Sequence, residues 1–445
     1  MRIDTIETPE LGNRSYVVTD GSHAVVVDPQ RDLDRIESVL GDIGADVTHV
    51  FETHIHNDYL TGGLELSRRC GADYAVNGAE AVGFDRRPVH DGEVLVSGTL
   101  RIRVLSTPGH TETHLSYVVE DDAESVVFTG GSLLFGSVGR TDLVDPARTQ
   151  QLTRAQYASA HRLAGLPAAT AVLPTHGFGS FCSSDSSSTA NESTIGDEMQ
   201  KNPVFLAKSE DKFVYELIAS LGEYPAYYAH MAPLNRRGPT GVDLATPLPA
   251  ISSDDLARRL RAGAAVVDLR DRIAFSARHA AGTISIERGR QLATYLGWLV
   301  RFDAPIALIA DSTDDLADAR RQLSRIGYDD VAGTTARIET FAAPTSAYTR
   351  CSFDDLARDR TRDDVLLDVR RRTEREEGFL PGSVHIPLHE LPTTLGTIPR
   401  RRVWVHCVSG FRAGTAASML DNAGFDVVHV DDHIERADAL GLVVS

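Results

Sequence analysis

Thr53-His54-Ile55-His56-Asn57-Asp58-Tyr59 stands at the end of the largely apolar run ADVTHVFE, residues 45–52. A β-branched and aromatic run of that length, closed by polar residues, reads as a buried strand. HxHxD just past its end can turn two imidazoles and a carboxylate toward one point. Two more histidines follow β-type runs: Thr107-Pro108-Gly109-His110 after LRIRVLS, and Pro174-Thr175-His176-Gly177 after TAVL. A lone histidine is usually structural, but three such loops at successive strand ends outweigh coincidence. Imidazole and carboxylate together suit zinc or iron, so His54, His56, Asp58, His110 and His176 are the candidate metal ligands.

Working outward, SHAVVVDP and ESVVFTGG are further strand runs, while Leu33 to Leu40, Gly63 to Cys70 and Thr149 to Ala164 have helical spacing. The alternation predicts an α/β region with its loops gathered on one edge. Ser180 to Thr194 is serine-rich and reads as a surface loop, and Pro203 to Leu221 regains helical periodicity. Aromatics beside turn residues at Tyr224 to Met231 read as a domain end, and PTGVDLATPLP as a linker. The first domain is therefore placed at 1–240.

The rest repeats itself. AVVDLRD at Ala265 matches LLDVRRR at Leu366, IALIAD ending at Asp311 matches VWVHC ending at Cys407, and RIGYDDV at Arg325 matches NAGFDVV at Asn422. The offset is roughly 100 residues each time, which predicts two related strand-and-helix units, 250–345 and 350–445. In the second, Cys407 ends an apolar strand, and Val408-Ser409-Gly410-Phe411-Arg412 leads into a helical stretch, Ala413 to Asn422. A thiol facing a helix N-terminus, with an arginine beside it, is stabilised as thiolate, so Cys407 is a candidate sulfur nucleophile assisted by Arg412. Ser409 and Gly410 are candidate substrate-binding positions. A cysteine phosphatase loop needs five residues between Cys and Arg, and here only four separate Cys407 from Arg412. In the first repeat Asp311 ends the matching strand, and a carboxylate is no sulfur nucleophile.

The histidine constellation resembles the metallo-β-lactamase superfamily, and ETHIHNDYLTGG, STPGHTETHLSY, GSVGRTDL and PTHGFGSFC resemble its persulfide dioxygenase branch, including fusions to rhodanese domains. The resemblance implies an αββα sandwich followed by two rhodanese-like α/β domains, the first catalytically silent. It implies one Fe(II) per chain, with zinc the alternative, and oxidation of a low-molecular-weight thiol persulfide by O2 to sulfite. Sulfane sulfur on Cys407 would then make or use thiosulfate. The superfamily pattern has His where Tyr59 stands, which argues for one metal. The family's FTGD is Phe128-Thr129-Gly130-Gly131 here, so its ligand aspartate is missing, and a His54, His56 and His110 site is favoured in its place. The rivals are a zinc thioester hydrolase of the glyoxalase II type and a sulfur carrier with a degenerate metal site. Arg140 could hold an anionic group of the thiol or brace its loop through Asp142. Cys182 could carry sulfur near the metal or simply pack.

The 445 residues allow about three domains at roughly 150 each. Asp and Glu outnumber Lys and Arg by 63 to 45, a net charge of −18, which disfavours nucleic acid and anionic lipid as partners. No run approaches the length of about 18 apolar residues that spanning needs, and the opening MRIDTIETPELG is not signal-like, so a cytoplasmic location is expected. Four scattered cysteines with no CxxC argue against a disulfide scaffold or an all-cysteine zinc site. A homo-oligomer is compatible with the sequence.

Overall fold

The computed structural model describes residues 1–184, 191–341 and 343–444, so part of the serine-rich stretch, 185–190, lies outside the described residues. The chain divides into two compact units: Met1–Asp243 with Ser324–Gly327, and Leu244–Leu323 with Tyr328–Ser445.

Two sheets form the first unit. Arg2–Thr8, Asn13–Thr19, His23–Val27, Asp46–Phe51, Asp73–Asn77 and Arg87–Val89 pair in chain order, antiparallel as far as the third strand and parallel from there. Ala171–Pro174, Ser125–Gly130, Leu115–Glu120, Leu100–Ser106 and Val94–Ser97 make the second sheet. Strand alternation sorts the side chains. Tyr16, Val18, Val25, Val27 and Phe51 meet Tyr117 and Phe128 between the sheets, while Val17, Ala24, Val26 and Val50 turn outward under Ile36, Leu40, Leu64 and Leu66. Those last four belong to the helices Asp34–Ile43 and Gly63–Cys70. On the other face, Thr149–Leu163 and Glu210–Ser220 cover Val118, Val127 and Val172. The result is an αββα sandwich.

Two details differ from what periodicity predicts. The periodic stretch from Pro203 to Leu221 is two helices, Pro203–Leu206 and Glu210–Ser220, because the Ser209 hydroxyl accepts from Lys212 N at 3.2 Å and starts the second afresh. The aromatic segment expected to end the domain runs into a helix, Tyr228–Arg237, whose Asn235 holds the histidine loop described below.

The second unit holds two parallel sheets of matching connectivity. One is ordered Ile284–Ser285, Ala265–Asp268, Ile306–Ile309, Val331–Thr334; the other Val384–His385, Val365–Asp368, Val403–His406, Val427–Val430, Thr349–Cys351. Pairing register corrects one expectation. Asp268 lies opposite Ile309 and Asp368 opposite His406, so Ala310, not Asp311, occupies the place that Cys407 has in the other repeat. Motif identity points one residue too far because the loop between strand and helix is a residue shorter in the first repeat. No helix among the described residues is long and apolar enough to cross a membrane.

Candidate metal centre and cysteine loop

The strand Asp46–Phe51 delivers the segment Thr53 to Tyr59 into the edge where Ser125–Gly130 and Ala171–Pro174 also end. Hydrogen bonds fix that segment from several sides. Asp28, buried with φ +51°, accepts from Thr53 N and Thr53 Oγ1, both at 2.7 Å, and from the Thr175 hydroxyl. Asn235 Nδ2 donates to the carbonyls of His56 and Tyr59 at 2.9 Å each.

Proton positions follow from these partners. The Arg140 carbonyl can only accept, so His110 Nδ1 donates to it at 2.7 Å and keeps a lone pair on Nε2. Thr53 gives its hydroxyl proton to Asp28, so it accepts from His54 Nδ1 at 2.9 Å, leaving the His54 Nε2 lone pair free. Asn13 spends its amide on Asp58 at 2.7 Å, and its oxygen accepts from His176 Nδ1 at 3.0 Å, again leaving Nε2 free. The freed Nε2 atoms of His54 and His176 face each other at 3.2 Å. Two opposed lone pairs at that distance call for a cation. His110 Nε2, His56 Nδ1 and Asp58 Oδ1 are buried with no partner among the described residues. Ligand atoms of His54, His110 and His176 lie within 4.8 Å of one another, as do those of His56, Asp58 and His176. The donor set therefore fits a metal ion, and its nitrogen-rich character suits zinc or iron.

Electrostatics agree. Burial, then the neighbouring imidazoles, holds His54 well below the ordinary range and His110 at about 3; burial, then His56, holds His176 at about 3. These rings are neutral, as ligands must be. Burial would lower His56 too, but Asp28 and Glu52 reverse this and push it up to about 10. His56 Nε2 lies 3.3 Å from Asp28, 3.1 Å from Glu52 and 2.9 Å from the Tyr59 hydroxyl. The Tyr59 hydroxyl thus bonds a neighbouring ligand candidate. His56 groups with Asp58 and His176, and His176 also groups with His54 and His110, so the expected set of His54, His56 and His110 is not one that the geometry brings together.

Arg140 is buried, and its guanidinium is occupied. It pairs with Asp142 at 2.7 and 2.8 Å, donates to the carbonyls of Phe181 and Gly222, and lies over the Tyr224 ring. That geometry makes it a loop brace. Cys182 is fully buried, with Sγ 3.9 Å from the Tyr228 hydroxyl, and burial raises its thiol well above the ordinary range.

In the second unit, Cys407 leaves the strand Val403–His406 and is 1% exposed, just ahead of the helix Phe411–Asn422. Gly410 caps that helix at φ +83°, where a β-carbon would strike Asp431, and its carbonyl accepts from His429 Nε2 at 2.9 Å. Ser409 lies between them in the same loop. Arg412 is not aimed freely at the sulfur: Glu374 binds it through both oxygens, at 2.5 and 2.7 Å. Tyr295 of the first repeat holds its ring tilted against Phe411, 5.5 Å between centres, and lies within electrostatic reach of Cys407 and Arg412.

Residues 8–176 match the metallo-beta-lactamase superfamily, and residues 352–437 match the rhodanese-like domain. The chain is a metallo-β-lactamase–rhodanese fusion. Over 172 residues the fusion is 31% identical to a hydroxyacylglutathione hydrolase of Albidiferax ferrireducens, covering 37% of this chain and 62% of that one. It is 26% identical over 204 residues to the human mitochondrial persulfide dioxygenase ETHE1, covering 45% of this chain and 72% of that one. A metallo-beta-lactamase of Staphylococcus aureus subsp. aureus COL aligns with TM-score 0.67 at 28% identity, over 75% of the fusion and 98% of that chain. The fusion spans about half to two thirds of the length of the hydroxyacylglutathione hydrolases it matches.

Several residues that shape the fusion's two sites are not singled out by the sequence patterns above. Asp28 and Glu52 carry a signal, since one ends the apolar run SHAVVVD and the other directly precedes the HxHxD segment. His114, four residues after His110, carries one too. Asn13, Asn235 and Glu374 carry none, because they reach their partners from distant parts of the chain.

Proposed function

We propose that the fusion oxidises a low-molecular-weight thiol persulfide with O2 at a single iron held by the N-terminal histidine cluster, and moves sulfane sulfur through Cys407. The facing Nε2 atoms of His54 and His176, with His110 beside them, carry the reading. Bound iron supplies the one-electron chemistry that lets a persulfide sulfur react with O2. One persulfide, one O2 and one water give one thiol, one sulfite and two protons. Thr53, Arg140 and Asn13 hold the ring protons on Nδ1, so three Nε2 atoms stay available as ligands.

At the second site, Cys407 thiolate attacks the outer sulfur of a persulfide, the sulfur–sulfur bond breaks, and the departing thiolate takes a proton from water. Sulfite then attacks the sulfur held on Cys407, leaving as thiosulfate and restoring the thiolate. Joining both sites in one chain raises the concentration of one product at the other. The first repeat, with Ala310 at the nucleophile's place, acts as scaffold.

A zinc thioester hydrolase is the second reading, favoured by the 31% identity to hydroxyacylglutathione hydrolases. Tyr59 weighs against it, because its hydroxyl replaces a donor that a second metal would use. Protein prepared without oxygen should contain about one iron per chain and consume O2 only with a persulfide. His54→Ala should lose that uptake while keeping sulfur transfer to sulfite. Stoichiometric zinc with thioester hydrolysis and no O2 uptake would sink the first reading.

A further inference from the structure

Gly131 stands where the family's aspartate is expected, and its surroundings are not those of a vacated position. A β-carbon there would overlap His110 Cδ2 and come within 2.7 Å of Cγ and 2.8 Å of Nε2. Real β-carbons essentially never approach that closely, so any side chain at 131 would displace the His110 ring. At its Nδ1 the ring meets Gly139, where a β-carbon would overlap the Gly131 carbonyl and lie 2.8 Å from His110 Nδ1. His110 is seated in a slot walled by two glycines.

Backbone hydrogen bonds hold the slot together. Gly139 N donates to the Gly131 carbonyl at 3.0 Å, and the next residue, Arg140, presents the carbonyl that fixes His110 Nδ1. At the far end, Gly131 N donates to His114 Nε2 at 3.0 Å. That bond uses the Nε2 lone pair, so the His114 proton is on Nδ1, which donates to Thr107 Oγ1 at 2.9 Å. His114 is fully buried, stacks on His54 at 5.0 Å, and fills the space beside Gly130, where a β-carbon would lie 2.6 Å from its Nε2.

We propose that His114 and Gly131 work as one device: His114 is a positioning residue that anchors the glycine slot seating His110, so that this chain holds its metal on imidazoles rather than on two histidines and a carboxylate. The inference rests on the reading that the N-terminal site binds a metal. It gives the missing aspartate a consequence for substrate. A carboxylate ligand at 131 would cancel one unit of the ion's charge, whereas glycine there leaves that unit to attract an anionic ligand such as a persulfide.

Cobalt(II) titration of the full-length apoprotein, followed by the visible ligand-field spectrum and by elemental analysis, tests the slot directly. His114→Ala should weaken cobalt binding about ten- to hundredfold, the usual cost of losing a group that orients a ligand, and His114→Gln, which keeps an acceptor, should recover part of it. Gly131→Ala should weaken binding at least about tenfold, and Gly131→Asp should do no better. If Gly131 were merely a lost ligand position, alanine would be neutral and aspartate would tighten binding; either result overturns the slot. Should a variant at 131 fail to give a normal circular dichroism melt, the His114 pair decides: wild-type affinity in His114→Ala overturns the proposal. Wild-type protein that binds no cobalt would instead defeat the metal reading itself.

Discussion

The two repeats of the second unit share a scaffold and differ in what they place at one strand end. Both carry the same internal brace: Arg270 pairs with Asp268 at 2.7 Å, and Arg370 pairs with Asp368 at 2.8 Å, each arginine also reaching a backbone carbonyl, of Arg278 and Gly378. Sheet order and register agree. Past the third strand, one repeat has Ala310-Asp311-Ser312 and the other Cys407-Val408-Ser409-Gly410. The shorter loop caps its helix with Ser312, which also binds Asp315, and its first turn is acidic. The longer one is closed by Gly410 in a left-handed conformation and followed by Arg412. Packing keeps the scaffold, while the two repeats part in a handful of loop residues.

The largest effect that comparison implies concerns Cys407 itself. Cys407→Ser should reduce sulfur transfer from a persulfide to sulfite to the uncatalysed background, while persulfide-dependent O2 uptake stays near wild type. Both rates are measurable on one preparation, with an oxygen electrode and a thiosulfate assay. Loss of both together would end the division of labour between the two units.

Next in size is a difference in acid sensitivity. The Cys407 repeat buries His406 and His429 where the other repeat, by register, has Ile309 and Gly333. Burial holds both histidines down to about 4. Folded, they stay neutral, whereas in the unfolded chain they bind protons below about 6.5. Between those values the unfolded state holds more protons, so stability falls as pH drops from about 6.5 toward 4, by on the order of 3 kcal/mol for each group. Urea unfolding at pH 7 and pH 5 should show this loss, and His406→Leu should remove part of it. An equal loss in that variant would mean that acid acts elsewhere.

Legibility of the sequence follows the same division between scaffold and site. Strand ends bearing histidines are readable because apolar runs stop where polar chemistry begins, so the amino-acid pattern alone puts His54, His110 and His176 on one edge. The helix Gly63–Cys70 falls where periodicity puts it. The grouping of His176 with His54 and His110 does not follow from the pattern, since it depends on strands and loops brought together only by folding. Arg140 reads equally as a clamp or as a brace until Phe181 and Gly222 are seen to occupy it. The nucleophile's counterpart is displaced by one residue because motif matching sees identities, whereas ladder register fixes position.

Ala310→Cys should have the smallest effect: none on sulfur transfer. The substitution places a thiol at the register equivalent of Cys407, yet Asp311, Asp314 and Asp315 surround the following turn and oppose thiolate formation. No arginine stands in place of Arg412, and the loop is too short to repeat the turn that Gly410 makes. Alkylation rate against pH in an Ala310→Cys, Cys407→Ser chain should therefore report an ordinary or raised thiol pKa and no persulfide by mass spectrometry. A reactive thiol that takes up sulfur would show that strand register and the helix N-terminus suffice, and would move the specificity of this fold from its loop to its scaffold.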